Sequence, residues 1–352
     1  MKAGVFYGKE DLRIEDRPVP QVGPGQMLVK IAYVGICGTD VEFYKSGMCP
    51  PFTKLPLILG HENCGVVCEV GEGVTKFKVG DRVLCGPPGH CAEDCTPCKE
   101  GKTNICLHGF PRTAGLGQYD GGYAPYLLIH DVAHTMIVPV PDDVDFKDAV
   151  LFDVICVSLH GIRSSNFKFG DNVVVSGTGP IGLAAIQILK AAGANKIIAL
   201  GTTSSKEPLI KSYGADYFIN SKECEDLGGE VKKIFGTEVG ADVVYECAGN
   251  MTSLANCVYS CVKPGGQVSV IGTIQEPMTA LVPGAFSIFE PNMQFSFTYT
   301  ENDVKIYLEM VAQGKLHFPN MVTDIVSLDE CVEKVFAGNR RGQIKVLIDP
   351  SL

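Results

Sequence analysis

Residues 172–182 read NVVVSGTGPIG, and the fold follows from how that stretch is taken. The run DNVVVSG reads as a short buried strand, and the apolar spacing of IGLAAIQILKAAGA after it is that of a helix. Between them, Gly177-Thr178-Gly179-Pro180-Ile181-Gly182 fits the pattern G-x-G-x-x-G. The first glycine permits a tight turn, the second lets backbone approach a pyrophosphate, and the third allows close helix packing. The helix N-terminus supplies oriented N–H groups, and Pro180 suits a first helical turn, where its missing donor is not needed. Working outward, KIIALG, ADVVYECAG and GGQVSVIG are further compact apolar strands separated by helix-like segments. That alternation predicts a parallel sheet with helices on both faces, a dinucleotide-binding fold beginning near residue 156 and running to about 290.

Cofactor choice in such a fold depends on the end of the second strand, where an acidic residue normally hydrogen-bonds the ribose of NAD. Here that position is Gly201, followed by Thr202, Thr203, Ser204, Ser205 and Lys206. A carboxylate would repel a 2′-phosphate, whereas this run offers hydroxyl donors, open backbone and one cation. The reading favours NADP(H) over NAD(H).

Residues 1 to about 155 have a different texture. Short β-type runs such as MLVKIAYVGI and NCGVVCEVG are broken by Gly, Pro and Asp, which predicts an irregular, mostly antiparallel β domain. The tail over 291–352 has a helix near 302–313 and ends in the strand-like GQIKVLIDP, so it is expected to return to the first domain. With 352 residues, two cores are expected. The formal charge of −10 disfavours nucleic acid and anionic lipid as partners. MKAGVFYGKEDLRIEDR lacks the apolar core of a signal peptide, and no run reaches the roughly 18 apolar residues of a membrane span. A cytoplasmic enzyme acting on a small molecule is the expectation.

Fifteen cysteines in a reducing compartment point to metal rather than disulfides where they cluster. Cys91, Cys95, Cys98 and Cys106 are spaced C-x3-C-x2-C-x7-C in a lobe over about 85–110, close enough for a closed tetrahedral zinc shell with no position left for substrate. Cys85 is an alternative member, and an iron-sulfur cluster an alternative occupant. Cys37 and the pair His61-Glu62 follow strand-like segments at Gly-rich turns. A Cys, a His and a third anionic ligand would leave zinc one open position, as catalytic zinc needs. Each alone reads as an ordinary core cysteine or a satisfied histidine.

Taken in order, GICGTD, GHE, the cysteine lobe, DGGYAPY and SGTGPIG resemble the zinc-containing medium-chain dehydrogenases/reductases, in particular the sorbitol, threonine and butanediol dehydrogenase branch, with some features of bacterial NADP-dependent secondary alcohol dehydrogenases. The resemblance runs from about residue 1 to 350. It implies a GroES-like catalytic domain, a Rossmann domain, a substrate cleft between them, and a homodimer or homotetramer. It also implies that Cys37 and His61 are zinc ligands, with Glu62 a close carboxylate or exchangeable ligand. In FDVICVSLH, Asp153 stands seven residues before His160 and matches the third ligand, with Cys156 the alternative. Thr39 matches the hydroxyl that receives the substrate proton. The chain departs from the family pattern at Glu42, at Pro125 and in its C-x3-C spacing, none of which removes a ligand.

The function so implied is hydride transfer between a nicotinamide cofactor and a polyol, cyclitol or other secondary alcohol, with zinc lowering the pKa of the substrate hydroxyl. The rival within the class is an NADPH-dependent reductase of aldehydes or simple ketones; outside it, a non-catalytic zinc- and dinucleotide-binding protein. Tyr44, Phe110 and Tyr119 are candidates for the substrate wall.

Overall fold

In the computed structural model, which describes residues 1–91, 94–279, 281–338 and 342–352, the chain forms two compact units. The first comprises Met1–Asp153, Thr298–Gly314 and Pro319–Leu352; the second comprises Val154–Phe297 and Lys315–Phe318.

The first unit is built on strand Met27–Gly35, whose alternating apolar residues Met27, Val29 and Ile31 are buried. One edge of it pairs antiparallel with Glu62–Val70. The other edge is shared end to end: Tyr126–Ile129 pairs with Met27–Lys30, while Lys345–Ile348 pairs with Val34 and Gly35. The C-terminal strand is thus hydrogen-bonded beside the segment that leads into Cys37. A smaller sheet of Asp11–Asp16, Lys2–Gly8 and Leu57–Ile58 closes the core over Phe6, Leu57 and Tyr123.

The second unit is a six-stranded sheet with all neighbours parallel. Its order is Tyr217–Asn220, Lys196–Gly201, Asn172–Ser176, Ala241–Glu246, Val262–Val270, Asn292–Phe295. The strand that comes first in the chain is central. The chain winds outward on one side and then returns to wind outward on the other, so the strand order switches at Ser176 and Glu246. In sheets of this kind ligands bind beyond the carboxyl ends of the strands at that point. Val173, Val174 and Val175 are fully buried, as strands covered on both faces require. Among the described residues no helix is long and apolar enough to cross a membrane.

Ile198 is fully buried in the core of this second unit. Ile198→Ala is expected to lower the stability of the unit by about 2–5 kcal/mol, read as an earlier urea transition.

Candidate functional site

Cys37 is the N-cap of helix Gly38–Ser46, with extended backbone at φ −85° and ψ 156°. Its N–H donates to Asp40 Oδ2 at 3.1 Å, which turns Asp40 inward; Asp40 is fully buried. Two further contacts hold that carboxylate. The Tyr123 hydroxyl donates to Oδ2 at 2.8 Å, and His61 Nδ1 lies 3.4 Å from Oδ1, an ion-pair contact without hydrogen-bond alignment.

His61 and Glu62 enter from the start of strand Glu62–Val70. Gly60 turns the chain there at φ +96°, and a Cβ on it would lie 2.5 Å from the Tyr123 ring. Glu62 is in register with Gly35, where a Cβ would lie 1.9 Å from Glu62 Oε2, so only glycine leaves room for the carboxylate. The Lys345 ammonium pairs with Glu62 Oε2 and donates to the Ile36 carbonyl at 3.1 Å. Both partners are almost wholly inaccessible to water. Burial alone would favour a neutral amine, but Glu62, Cys37 and Asp153 together more than offset it and Lys345 is held as an ammonium. Burial pushes the Glu62 carboxyl up in spite of that ammonium.

Asp153 stands in the first turn of helix Phe152–Arg163, where the helix dipole favours an anion. The Tyr299 hydroxyl donates to its Oδ1 at 2.5 Å. One atom from each of Cys37, His61, Glu62 and Asp153 lies within 4.8 Å of the others. Cys156 does not join them. Burial disfavours a proton on His61, but Asp40 and Cys37 outweigh it and raise the imidazole well above its usual pKa. Asp40 Oδ1 and Glu62 Oε1 are buried without a hydrogen-bond partner. A pocket of buried anionic donors that draws a proton onto its histidine is electrostatically poised for a cation, and a thiol, an imidazole and carboxylates are zinc donors. Thr39 is exposed, with Oγ1 3.6 Å from Cys37 Sγ.

A second group is formed by Cys91, Cys95, Cys98 and Cys106, again with donor atoms within 4.8 Å of one another. Cys85 lies in strand Arg82–Gly86 and is not one of them. The N–H of Cys95 donates to Cys91 Sγ at 3.3 Å and that of His108 to Cys106 Sγ at 3.4 Å. Backbone donation from Leu107 and Cys98 draws the Cys95 thiol down to about 6, while burial pushes Cys98 up to about 12. Four sulfurs this close cannot all ionise without a cation, and four thiolates around one divalent ion is a structural zinc shell.

In the second unit, Gly177 has φ +111° and a Cβ there would meet the backbone of Cys247 and Ala248. A Cβ on Gly182 would lie 1.8 Å from the Gly177 carbonyl oxygen, which is the close packing required of the third glycine. Gly179 caps helix Pro180–Ala191, and nothing lies within 4 Å of where its Cβ would be. Thr178 Oγ1 lies 2.8 Å from the Cβ position of Gly201, at the end of strand Lys196–Gly201. Thr202, Thr203 and Ser204 are exposed beyond it and Lys206 is half-buried. Ser204 Oγ accepts from Asn220 Nδ2 at 2.8 Å and donates to Glu223 at 3.4 Å, so a carboxylate from the turn after strand Tyr217–Asn220 stands beside that loop. Ile181 is engaged through its carbonyl, which accepts from Ser158 at 2.8 Å.

Tyr44 is a core side chain packed edge-on to Phe336, not an open wall. Phe110 meets Phe52, and Tyr119 stacks on His130. Sequence reading missed Asp40, Tyr123, Tyr299 and Lys345. Lys345 carried a signal, a lone lysine inside the apolar run IKVLI.

Residues 23–142 match the family described as "Alcohol dehydrogenase GroES-like domain", and residues 180–313 the family described as "Zinc-binding dehydrogenase". The "Probable D-xylulose reductase A" of Arthroderma otae is 35% identical over 349 residues, covering 98% of this chain and 96% of that one. The sorbitol dehydrogenase of Bacillus subtilis is 32% identical over 333 residues, 94% of this chain and 91% of its own. Among solved structures, a protein of Sinorhizobium meliloti 1021 described as a zinc-binding dehydrogenase and bound to NADP superimposes with a TM-score of 0.89. It is 27% identical and covers 99% of both chains. These matches support the expected GroES-like and Rossmann halves.

Lys345→Met would leave Glu62 buried and uncompensated, at a cost of about 3–5 kcal/mol. A lowered thermal midpoint for Lys345→Met, largely restored by adding Glu62→Gln, is the expected result.

Proposed function

The chain belongs to the zinc-binding alcohol dehydrogenase family, and from that premise we propose that it transfers a hydride between NADP and a secondary hydroxyl of a polyol or cyclitol. The observation that carries the reading is the convergence of Cys37, His61, Glu62 and Asp153 on one point in the first unit. Cys37, His61 and Asp153 would hold a catalytic zinc, with Glu62 as the adjacent carboxylate, and Cys91, Cys95, Cys98 and Cys106 a structural one. The zinc supplies a Lewis acid for the substrate oxygen, and the nicotinamide supplies the hydride acceptor.

The remaining work falls to the chain's own residues. Thr39, exposed beside Cys37, takes the proton of the substrate hydroxyl and passes it outward. Asp40 holds the His61 ring in one orientation and is itself held by Tyr123. In the second unit the backbone from Gly177 to Gly182 and the N-terminus of helix Pro180–Ala191 receive the pyrophosphate. Gly201 to Lys206 receive the adenosine ribose. The absence of an acidic side chain at Gly201 supports NADP, as does the bound NADP of the Sinorhizobium protein. The xylulose and sorbitol enzymes among the relatives support a polyol. Ile288, Phe289, Phe295 and Phe297, exposed on and beside the edge strand Asn292–Phe295, support a homo-oligomer.

The test is nicotinamide absorbance with polyols, cyclitols, simple secondary alcohols and their carbonyl forms, each with NAD and NADP. Turnover of a polyol or cyclitol, faster with NADP, is expected; activity confined to simple ketones or aldehydes would favour the reductase instead. Cys37→Ala should lose one of the two zincs and, with it, about a thousandfold in kcat/KM, as the loss of several kcal/mol of Lewis-acid stabilisation implies. Retention of both zincs and of activity would overturn the assignment. Light scattering on the eluted protein should give a mass of two or four chains, and a single-chain mass would refute the oligomer.

A further inference from the structure

The two carboxylates that face the donor cluster are held by different partners. Glu62 is paired with an ammonium, which cancels its charge; Asp153 accepts from a phenol, which occupies a lone pair and leaves the charge in place. We propose that Tyr299 is a positioning residue for the catalytic cation: its hydroxyl holds Asp153 Oδ1 and so fixes the orientation of the carboxylate that would serve as a metal ligand. By this division Asp153 is the resident ligand and Glu62 the bystander. The inference rests on the catalytic-zinc reading above and names a residue for which the family resemblance gives no role.

Several observations show that the hydroxyl is fixed where it is. Tyr299 is fully buried, and its ring meets Phe152, the neighbour of Asp153, edge-on at 6.0 Å and 81°. The preceding residue, Thr298, has φ +47°, a left-handed conformation that a β-branched residue adopts only when its surroundings impose it. The following residue, Thr300, caps helix Glu301–Ala312 reciprocally with Asp303: its N–H donates to Asp303 Oδ2 at 2.8 Å, and its hydroxyl faces the Asp303 N–H. Tyr299 is therefore bracketed by a strained turn and a locked helix start. A tyrosine needed only to fill space would not need its hydroxyl, and phenylalanine would pack as well; the 2.5 Å hydrogen bond to a candidate metal ligand is what distinguishes the two roles.

The experiment uses the zinc-loaded protein. Release of the zinc that depends on Cys37 is followed by competition with a chromophoric chelator, and the same site is loaded with Co2+ to record its visible absorption. Tyr299→Phe is expected to weaken retention of that zinc 10–100-fold, the usual effect of removing a partner of a metal ligand, and to shift the cobalt bands, with the cysteine-lobe zinc unaffected. In an Asp153→Asn background, Tyr299→Phe should add nothing, because the carboxylate it acts on is gone. A wild-type release rate and cobalt spectrum in Tyr299→Phe, or an equal further loss in the Asp153→Asn background, would overturn the inference. Incorporation of 3,5-difluorotyrosine at 299 keeps the shape and strengthens the donor, so it reports even where Tyr299→Phe does not fold: the cobalt bands should move, and an unchanged spectrum counts against the proposal. If the wild-type protein has no Cys37-dependent zinc at all, the underlying reading fails, an outcome distinct from the others.

Discussion

Asp40, Glu62 and Asp153 are buried carboxylates gathered around one thiol and one imidazole, and the rest of the first unit is arranged so that this concentration of negative charge can exist away from water. Burying an unpaired carboxylate costs several kcal/mol even after relaxation. The fold answers with a lysine from the far end of the sequence. Lys345 reaches Glu62 because strand Lys345–Ile348 pairs with the end of Met27–Gly35, the strand that runs into Cys37. The return of the C-terminal segment to the first unit is therefore an electrostatic requirement of the site as well as a way of completing a sheet. The same segment brings Tyr299 to Asp153.

Close approach is the second requirement, and glycine meets it. Gly35 leaves the volume that Glu62 occupies, and Gly60 leaves that of the Tyr123 ring; Tyr123 in turn holds Asp40. Substituting either would force apart groups that the electrostatics hold together. In the second unit the same logic serves a different end. Gly177 and Gly182 are crowded by the protein's own backbone, whereas Gly179 opens onto empty space. Two of the three glycines of the motif thus act on packing and one on access.

Much of this was legible in the sequence because the local signals were covalently close. NVVVSGTGPIG is strand, turn and helix within eleven residues, and the cysteine lobe spans sixteen. The donor cluster was legible only through the order of motifs, since the segments of Cys37 and His61 are brought together by sheet register and Asp153 joins them from a helix, none of which is a matter of spacing. Asp40 lies inside GICGTD, but nothing in that hexamer says that its carboxylate turns inward, because its partner Tyr123 is far away in the sequence. Tyr299 gave no signal: nothing in FTYTEND says that its hydroxyl turns inward, because that depends on the left-handed turn at Thr298. Tyr44 failed in the opposite sense, an aromatic near the motif that belongs to the core.

The charge balance explains why the supporting groups are what they are. With Cys37 as a thiolate and Asp40, Glu62 and Asp153 all ionised, the site would carry four negative charges, of which the Lys345 ammonium and a divalent cation would leave one uncompensated. A second buried lysine would cancel it, but an ammonium beside Asp40 or Asp153 would compete with the metal for those oxygens. The fold instead sets two phenols against the remaining charge, Tyr123 on Asp40 and Tyr299 on Asp153. A phenol donates a hydrogen bond and carries no charge of its own, and burial keeps the Tyr123 proton in place by raising its pKa well above the ordinary value, with Asp40 acting in the same direction. Neutral donors spread the excess charge without removing it, which is what a site that would hold a cation requires.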